Sequence, residues 1–121
     1  MKLYEYAVLR AVPRIERGET INVGVVLHSH DLDFLGALVC LDEARLRALD
    51  PSVDLAAVHA SLEALRRTAL GEGPADQMSR TQRFGWLTAP RSTVVQAGPV
   101  HIGLTDDAPA ELARLLDRLV R

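Results

Sequence analysis

The stretch that decides the fold lies near the N-terminus and has three parts: LYEYAVLRAV at residues 3–12, PRIERGE at 13–19 and TINVGVVLH at 20–28. The first part is apolar on both of its alternating faces, as expected of an interior strand. The third part alternates apolar and partly polar positions from Ile21 to Leu27, which predicts a second strand. The proline and glycine between them indicate a hairpin loop. We therefore expect the two strands to pair antiparallel.

The rest of the chain adds short apolar runs and two amphipathic stripes. Apolar residues at spacings of three and four predict helices. We expect Asp42 to cap the first helix, Ser52 or Asp54 to start the second, and Asp106, Asp107 and Pro109 to lead into the last. The predicted elements are a third strand at Phe34–Leu41, a short helix at Glu43–Leu49, a helix from Leu55 to Ala69, short strands at Ser92–Gln96 and Val100–Leu104, and a C-terminal helix after Pro109.

These elements predict an α+β fold in one domain spanning residues 1–121. The expected architecture is an antiparallel sheet of four or five strands with the two longer helices packed on one face. A ferredoxin-like strand order is the alternative.

The composition is that of an ordinary globular domain, with 121 residues, 48% apolar and 25% charged. The net charge of −2 excludes a general electrostatic attraction to nucleic acid or to an anionic membrane. Cys40 is the only cysteine, so no internal disulfide can form. Charges interrupt the N-terminal apolar run, which predicts neither a signal peptide nor a membrane span. We expect a cytoplasmic protein without cofactor or membrane contact.

One segment, residues 77–105, has a composition unlike that of the rest of the chain. It contains no Asp or Glu, three arginines and several hydroxyl side chains, a combination suited to an anion. The long connection from Gly71 to about Phe84 also favours a functional loop. The candidate residues for binding an anion or a partner are Arg80, Arg83, Trp86, Arg91 and Ser92.

Phe84 and Trp86 in RFGWL, residues 83–87, could stack on nucleic-acid bases beside the arginines. Because the chain has few large side chains, we favour the interpretation that both rings anchor the core. Their alternation predicts a strand with both rings on one side.

A second polar group is expected at the hairpin. Arg10, Glu19 and Asn22 could meet as a network across the two strands, although a hairpin-edge ion pair with a side-chain cap is the favoured interpretation.

The remaining chemistry is sparse. His28 and His30, with Asp31 and Asp33, have side chains of metal-ligating type, but one turn offers too few converging donors, so a solvated turn is favoured and no metal site is predicted. No nucleophile elbow and no glycine-rich phosphate loop is present. The sequence therefore assigns no catalytic residue.

Three blocks of the chain resemble a known bacterial family: YEYAVLR at 4–10, GETINVGVVL at 18–27 and RFGWLTAPRSTVVQ at 83–96. The family is domain of unknown function 3037, and the similarity continues through PVHIGLTDD at 99–107. Its members are often encoded beside HipA-like kinase homologues, so the resemblance implies a kinase partner and supplies no catalytic residue.

The sequence together with this resemblance predicts a small accessory or protein-interaction module, for which a HipA-like kinase homologue and a second copy of the chain are the candidate partners. The alternative is a phosphoryl-transfer or nucleic-acid-processing enzyme that uses the arginines of 77–105 with Glu19 or His101 on an anionic ligand or nucleic acid.

Overall fold

The computed structural model describes residues 1–121. The chain forms five strands, four α-helices and one 3-10 helix. In chain order these are β1 (Lys2–Ala11), β2 (Ile21–Ser29), β3 (Phe34–Val39), α1 (Glu43–Leu49), α2 (Leu55–Ala69), the 3-10 helix Gly73–Gln77, α3 (Arg80–Thr88), β4 (Val95–Ala97), β5 (His101–Thr105) and α4 (Ala108–Leu119).

All five strands belong to one antiparallel sheet. Its order is β3-β2-β1-β4. β4 and β5 share the second edge of β1: β4 pairs with its C-terminal end and β5 with its N-terminal end. The predicted α+β class and the antiparallel hairpin of β1 and β2 are confirmed. Because β1 and β2 are neighbours joined by a hairpin with no helix between them, the ferredoxin-like alternative is wrong.

The pairing of β1 with β2 is interrupted by a β-bulge in β2. Leu9 pairs with Gly24 but Arg10 pairs with Asn22, so Val23 is an extra residue between them. Gly24 is required beside the bulge, since an added Cβ would lie 2.8 Å from the Leu38 carbonyl oxygen.

The two longer helices lie on opposite faces of the sheet, contrary to the prediction that they share one. The α2–α3 face is the side on which Ala7, Leu9 and Val26 pack against α2, α3 and Leu46 of α1. The α4 face is the opposite side, where the buried core includes Tyr4, Val25, Leu27, Leu112, Leu115 and Leu116. Because β1 and β2 are apolar on both sides, both sides must be covered.

Polar contacts join α4 to its face of the sheet. The Tyr4 hydroxyl donates to Glu111, and the Arg114 guanidinium donates to both carboxylate oxygens of Glu111 at 2.6 and 2.8 Å. The hydrogen bonds from Arg114 lower the pKa of Glu111 to about 2. Burial, followed by the bond to Glu111, raises the pKa of Tyr4 to about 12. Asn22 adds a bond to the Leu119 carbonyl oxygen at 2.9 Å.

No helix in the structure combines the length and the apolar character that crossing a bilayer requires.

Candidate functional site: the Trp86 groove

The segment predicted as a long loop followed by a strand is helical. The 3-10 helix Gly73–Gln77 comes first, and α3 follows from Arg80. Ser79 begins α3 with a capping box, in which its hydroxyl accepts from the Gln82 amide and the Gln82 side chain accepts from the Ser79 amide. The Ser-x-x-Gln spacing at 79–82 was the sequence signal for this helix.

The helical geometry separates the two aromatic rings that were predicted to share one side. Phe84 is buried and stacks on His28 with ring centroids 5.3 Å apart, whereas Trp86 is 47% exposed. Residues two apart point the same way on a strand but to nearly opposite sides of a helix. The core prediction is therefore right for Phe84 and wrong for Trp86.

Trp86 lies at the junction of two cavities that run along α2. The larger, about 330 Å³, lies between α2, the 3-10 helix and the indole. The smaller, about 180 Å³, continues on the other side of Trp86 towards Arg91. We call them together the Trp86 groove. Its lining includes Ala64, Arg67, Glu72, Pro74, Ala75, Met78, Trp86 and Arg91.

Arg91 is held on the indole and has no acidic partner. Its guanidinium carbon lies 4.4 Å from the centre of the Trp86 ring, and the guanidinium donates to the Trp86 carbonyl oxygen. By contrast, Arg67 at the other end of the groove pairs with Glu72 at 3.2 Å. The groove therefore has an apolar floor and one cation that no carboxylate neutralises.

The other candidates of segment 77–105 lie elsewhere. Arg83 belongs to the scaffold, since its guanidinium packs against Gly71 and donates to the Met78 carbonyl oxygen at 2.7 Å. Arg80 lines a separate polar cavity at the start of α3. Ser92 is exposed and lines no cavity. The three arginines do not converge on one cleft.

The enzymatic alternative required these arginines near Glu19 or His101. Glu19 instead pairs with Arg17 at 2.5 Å in the hairpin loop, and His101 packs against Tyr6 in a tilted arrangement with ring centroids 5.3 Å apart. No cavity brings either residue to an arginine of the segment.

The hairpin residues also separate. Arg10 and Asn22 are cross-strand partners, but Asn22 is bonded to α4 and the Arg10 guanidinium packs against Gly98. With Glu19 paired to Arg17, the three residues do not form one network.

The family model described as "Protein of unknown function (DUF3037)" matches residues 6–120 of the chain. The chain belongs to this family. No curated protein and no solved structure matches it. The matched residues include both cavities of the Trp86 groove and all of the sheet except the first four residues of β1, and the family description names no activity.

The sequence did not indicate the walls of the groove. Ala64, Pro74 and Met78 are unremarkable in sequence and become a site only because the 3-10 helix folds back on α2. His28, expected in a solvated turn, is instead buried within β2. No group of three or more His, Cys, Asp or Glu side chains is placed to hold a metal.

Proposed function

We propose that this protein is an accessory protein-interaction module and that the Trp86 groove binds a segment of its partner. The observation that carries the proposal is the half-exposed indole, the only tryptophan of the chain, between two cavities and beneath an unneutralised Arg91. Tryptophan and arginine are the residue types that most often dominate binding at protein interfaces.

The lining of the groove indicates the chemistry of the ligand that would bind there. An apolar side chain fits the larger lobe, against Ala75, Met78 and one face of Trp86. A carboxylate on the same segment pairs with Arg91 across the indole. The occupant is therefore a peptide segment with an apolar side chain close to an Asp or Glu.

The partner we propose is a HipA-like kinase homologue. This choice rests on the genomic neighbourhood that the family resemblance implies, and the groove geometry is compatible with it because a kinase surface can supply an acidic, apolar segment. A homo-oligomer would place a second copy of the chain in the groove instead.

Fluorescence tests the proposal directly, because Trp86 is the only indole and reports on the groove alone. Titration of this protein with a HipA-like kinase homologue should shift or quench the Trp86 emission. Where the kinase contains tryptophan, 5-fluorotryptophan in this chain and fluorine NMR isolate the signal. Short single-stranded DNA should leave the signal unchanged.

Substitutions distinguish the groove from the rest of the surface. Trp86→Ala should weaken kinase binding by about 30-fold and Arg91→Ala by about tenfold, measured by calorimetry. Ile102→Ala is the matched control, since Ile102 is a large exposed apolar residue on β5 outside the groove. Equal affinity of Trp86→Ala and wild type would overturn the proposal, and so would a response to DNA without one to the kinase.

Two further measurements separate the partner from the groove. If the kinase does not bind, the kinase assignment is wrong. A displayed peptide library then tests the groove itself, and the expected enrichment is an apolar residue near Asp or Glu. Light scattering of the protein alone should give a monomer mass, whereas a dimer abolished by Trp86→Ala would assign the groove to self-association.

A further inference from the structure

The sheet has an open edge along β5. This strand pairs with β1 on one side and with no strand on the other. The backbone groups on the free side of such a strand have the spacing that a further strand can bond. At the opposite edge of the sheet, by contrast, Phe34, Leu35 and Val39 of β3 pack against the cores beneath the helices. β5 is therefore the edge at which another strand can add.

The hydrogen bonds of β1 identify which backbone groups of β5 are free. The Gly98 amide donates to the Val8 carbonyl oxygen, so the even-numbered residues of β1 direct their backbone groups towards the edge that holds β4 and β5. The register of β1 with β5 then bonds Gly103 to β1 and points the amides and carbonyl oxygens of Ile102 and Leu104 outward. These two residues present unpaired donors and acceptors to solvent.

The same two residues also carry exposed apolar side chains. Ile102 is 68% exposed and Leu104 is 56% exposed, and Leu3, which pairs with Leu104 from β1, is 50% exposed. The three side chains lie on one face of the sheet, because residues two apart on a strand and residues directly paired across strands point the same way. β5 contains neither proline nor a charged residue of the Asp, Glu, Lys or Arg type, the features by which edge strands resist pairing.

The sequence of β5 is complementary to itself. Antiparallel pairing of two copies about a two-fold axis at Gly103 places Ile102 of each copy opposite Leu104 of the other. In this register the outward amides and carbonyl oxygens of the two strands meet, and each exposed apolar side chain packs on another. No two carboxylates, ammonium groups or guanidinium groups of β5 oppose each other across the axis. A second copy of the chain therefore fits both the backbone edge and its side chains.

We propose that two copies of this protein associate through β5 and join their sheets into one continuous antiparallel sheet. Unlike self-association through the Trp86 groove, this contact leaves the groove unoccupied, because no residue of β5 lines it.

The size of the contact sets its strength. It rests on one strand of 5 residues from each copy, and stable complexes bury about 1,600 Å², which is more than such a strand pair can bury. The dimer is therefore weak, with a dissociation constant on the order of 100 µM, and dilute protein is monomeric.

Sedimentation equilibrium of the protein tests the proposal, from low micromolar to millimolar concentration. The average mass should rise from that of a monomer towards that of a dimer across this range. Ile102→Lys should keep the mass monomeric, because a lysine at an edge position opposes strand pairing. Ile15→Lys is the matched control, since Ile15 is another exposed isoleucine and lies in the hairpin loop, outside β5. It carries the same change of charge and should associate as wild type does.

Amide hydrogen exchange measured by NMR locates the contact. Exchange at Ile102 and Leu104 should slow as the protein concentration rises, whereas the Gly103 amide, bonded to β1, should be protected at every concentration. Trp86→Ala should associate as wild type does, and loss of the dimer in that variant would overturn the proposal. A monomer mass up to millimolar protein would overturn it too, and so would a dimer that persists in Ile102→Lys.

Discussion

The two faces of the sheet differ in how completely their helices cover them. On the α4 face, one helix is packed against Tyr4, Val25 and Leu27, and the Tyr4–Glu111–Arg114 contacts close its edge. On the α2–α3 face, α2, the 3-10 helix and α3 meet imperfectly and leave the Trp86 groove between them. One continuous helix covers its face completely, whereas the junction of short helices leaves a concave space. The α4 face therefore contributes stability, and the α2–α3 face carries the candidate site.

The largest effect is expected within α3 itself. Phe84→Ala should lower the free energy of unfolding by about 3–5 kcal/mol, because a buried ring leaves a cavity beside His28. Trp86→Ala should change it by about 1 kcal/mol or less, because half of the indole is exposed. Urea denaturation followed by circular dichroism measures both. Equal losses would mean that the two rings share one core environment.

Leu112→Ala tests the independence of the two faces. The substitution removes a buried contact of α4 and should cost about 2–5 kcal/mol in chemical denaturation. Because α4 does not line the groove, the kinase affinity of the folded variant should stay at the wild-type value. A loss of this affinity in fully folded protein would show that the two faces are coupled.

A smaller effect depends on pH. The folded-state pKa of Glu111 is lowered from 4.5 to about 2 by the Arg114 hydrogen bonds, so this carboxylate stabilises the fold above pH about 4.5 and loses that contribution as the pH falls towards 2. Glu111→Gln should destabilise the protein by about 2 kcal/mol at neutral pH, with a difference that disappears near pH 2.

Glu63→Gln is the matched control for this pH effect. Glu63 forms the same i,i+3 pair with Arg66 on α2, but both side chains are exposed. The difference in melting temperature between Glu63→Gln and wild type should therefore vary with pH much less than the difference between Glu111→Gln and wild type. Identical profiles for the two variants would contradict a special role of the α4 contact.

The smallest expected changes in stability distinguish two arginines of segment 77–105. Arg83→Ala should cost about 1–2 kcal/mol, because it removes the bond to the Met78 carbonyl and the packing against Gly71. Arg91→Ala should alter stability by about 0.5 kcal/mol or less, since its partner is the exposed indole. Thermal denaturation compares them, and a larger loss for Arg91 would reverse their roles.

The sequence by itself determined the kind and order of most elements. Alternation in residues 3–12 and 20–28 predicted the central hairpin, and Asp42 caps α1 as expected. Of the residues expected to start the two longer helices, Asp54 and Asp107 are the caps. These signals are local, because a cap or an alternating strand involves residues a few positions apart. The one helix that was missed, α3, also had a local signal in its capping box, which the aromatic alternation of RFGWL obscured.

Only the tertiary structure decided which face each helix covers and where the sites form. Tyr4 meets Glu111 across 107 positions, and Asn22 meets Leu119 across 97. The same holds for His28, whose burial depends on Phe84 of α3, and for Trp86, whose groove depends on the 3-10 helix folding back on α2. Periodicity identifies an apolar side chain but does not name what covers it, because that depends on contacts between segments far apart in the chain.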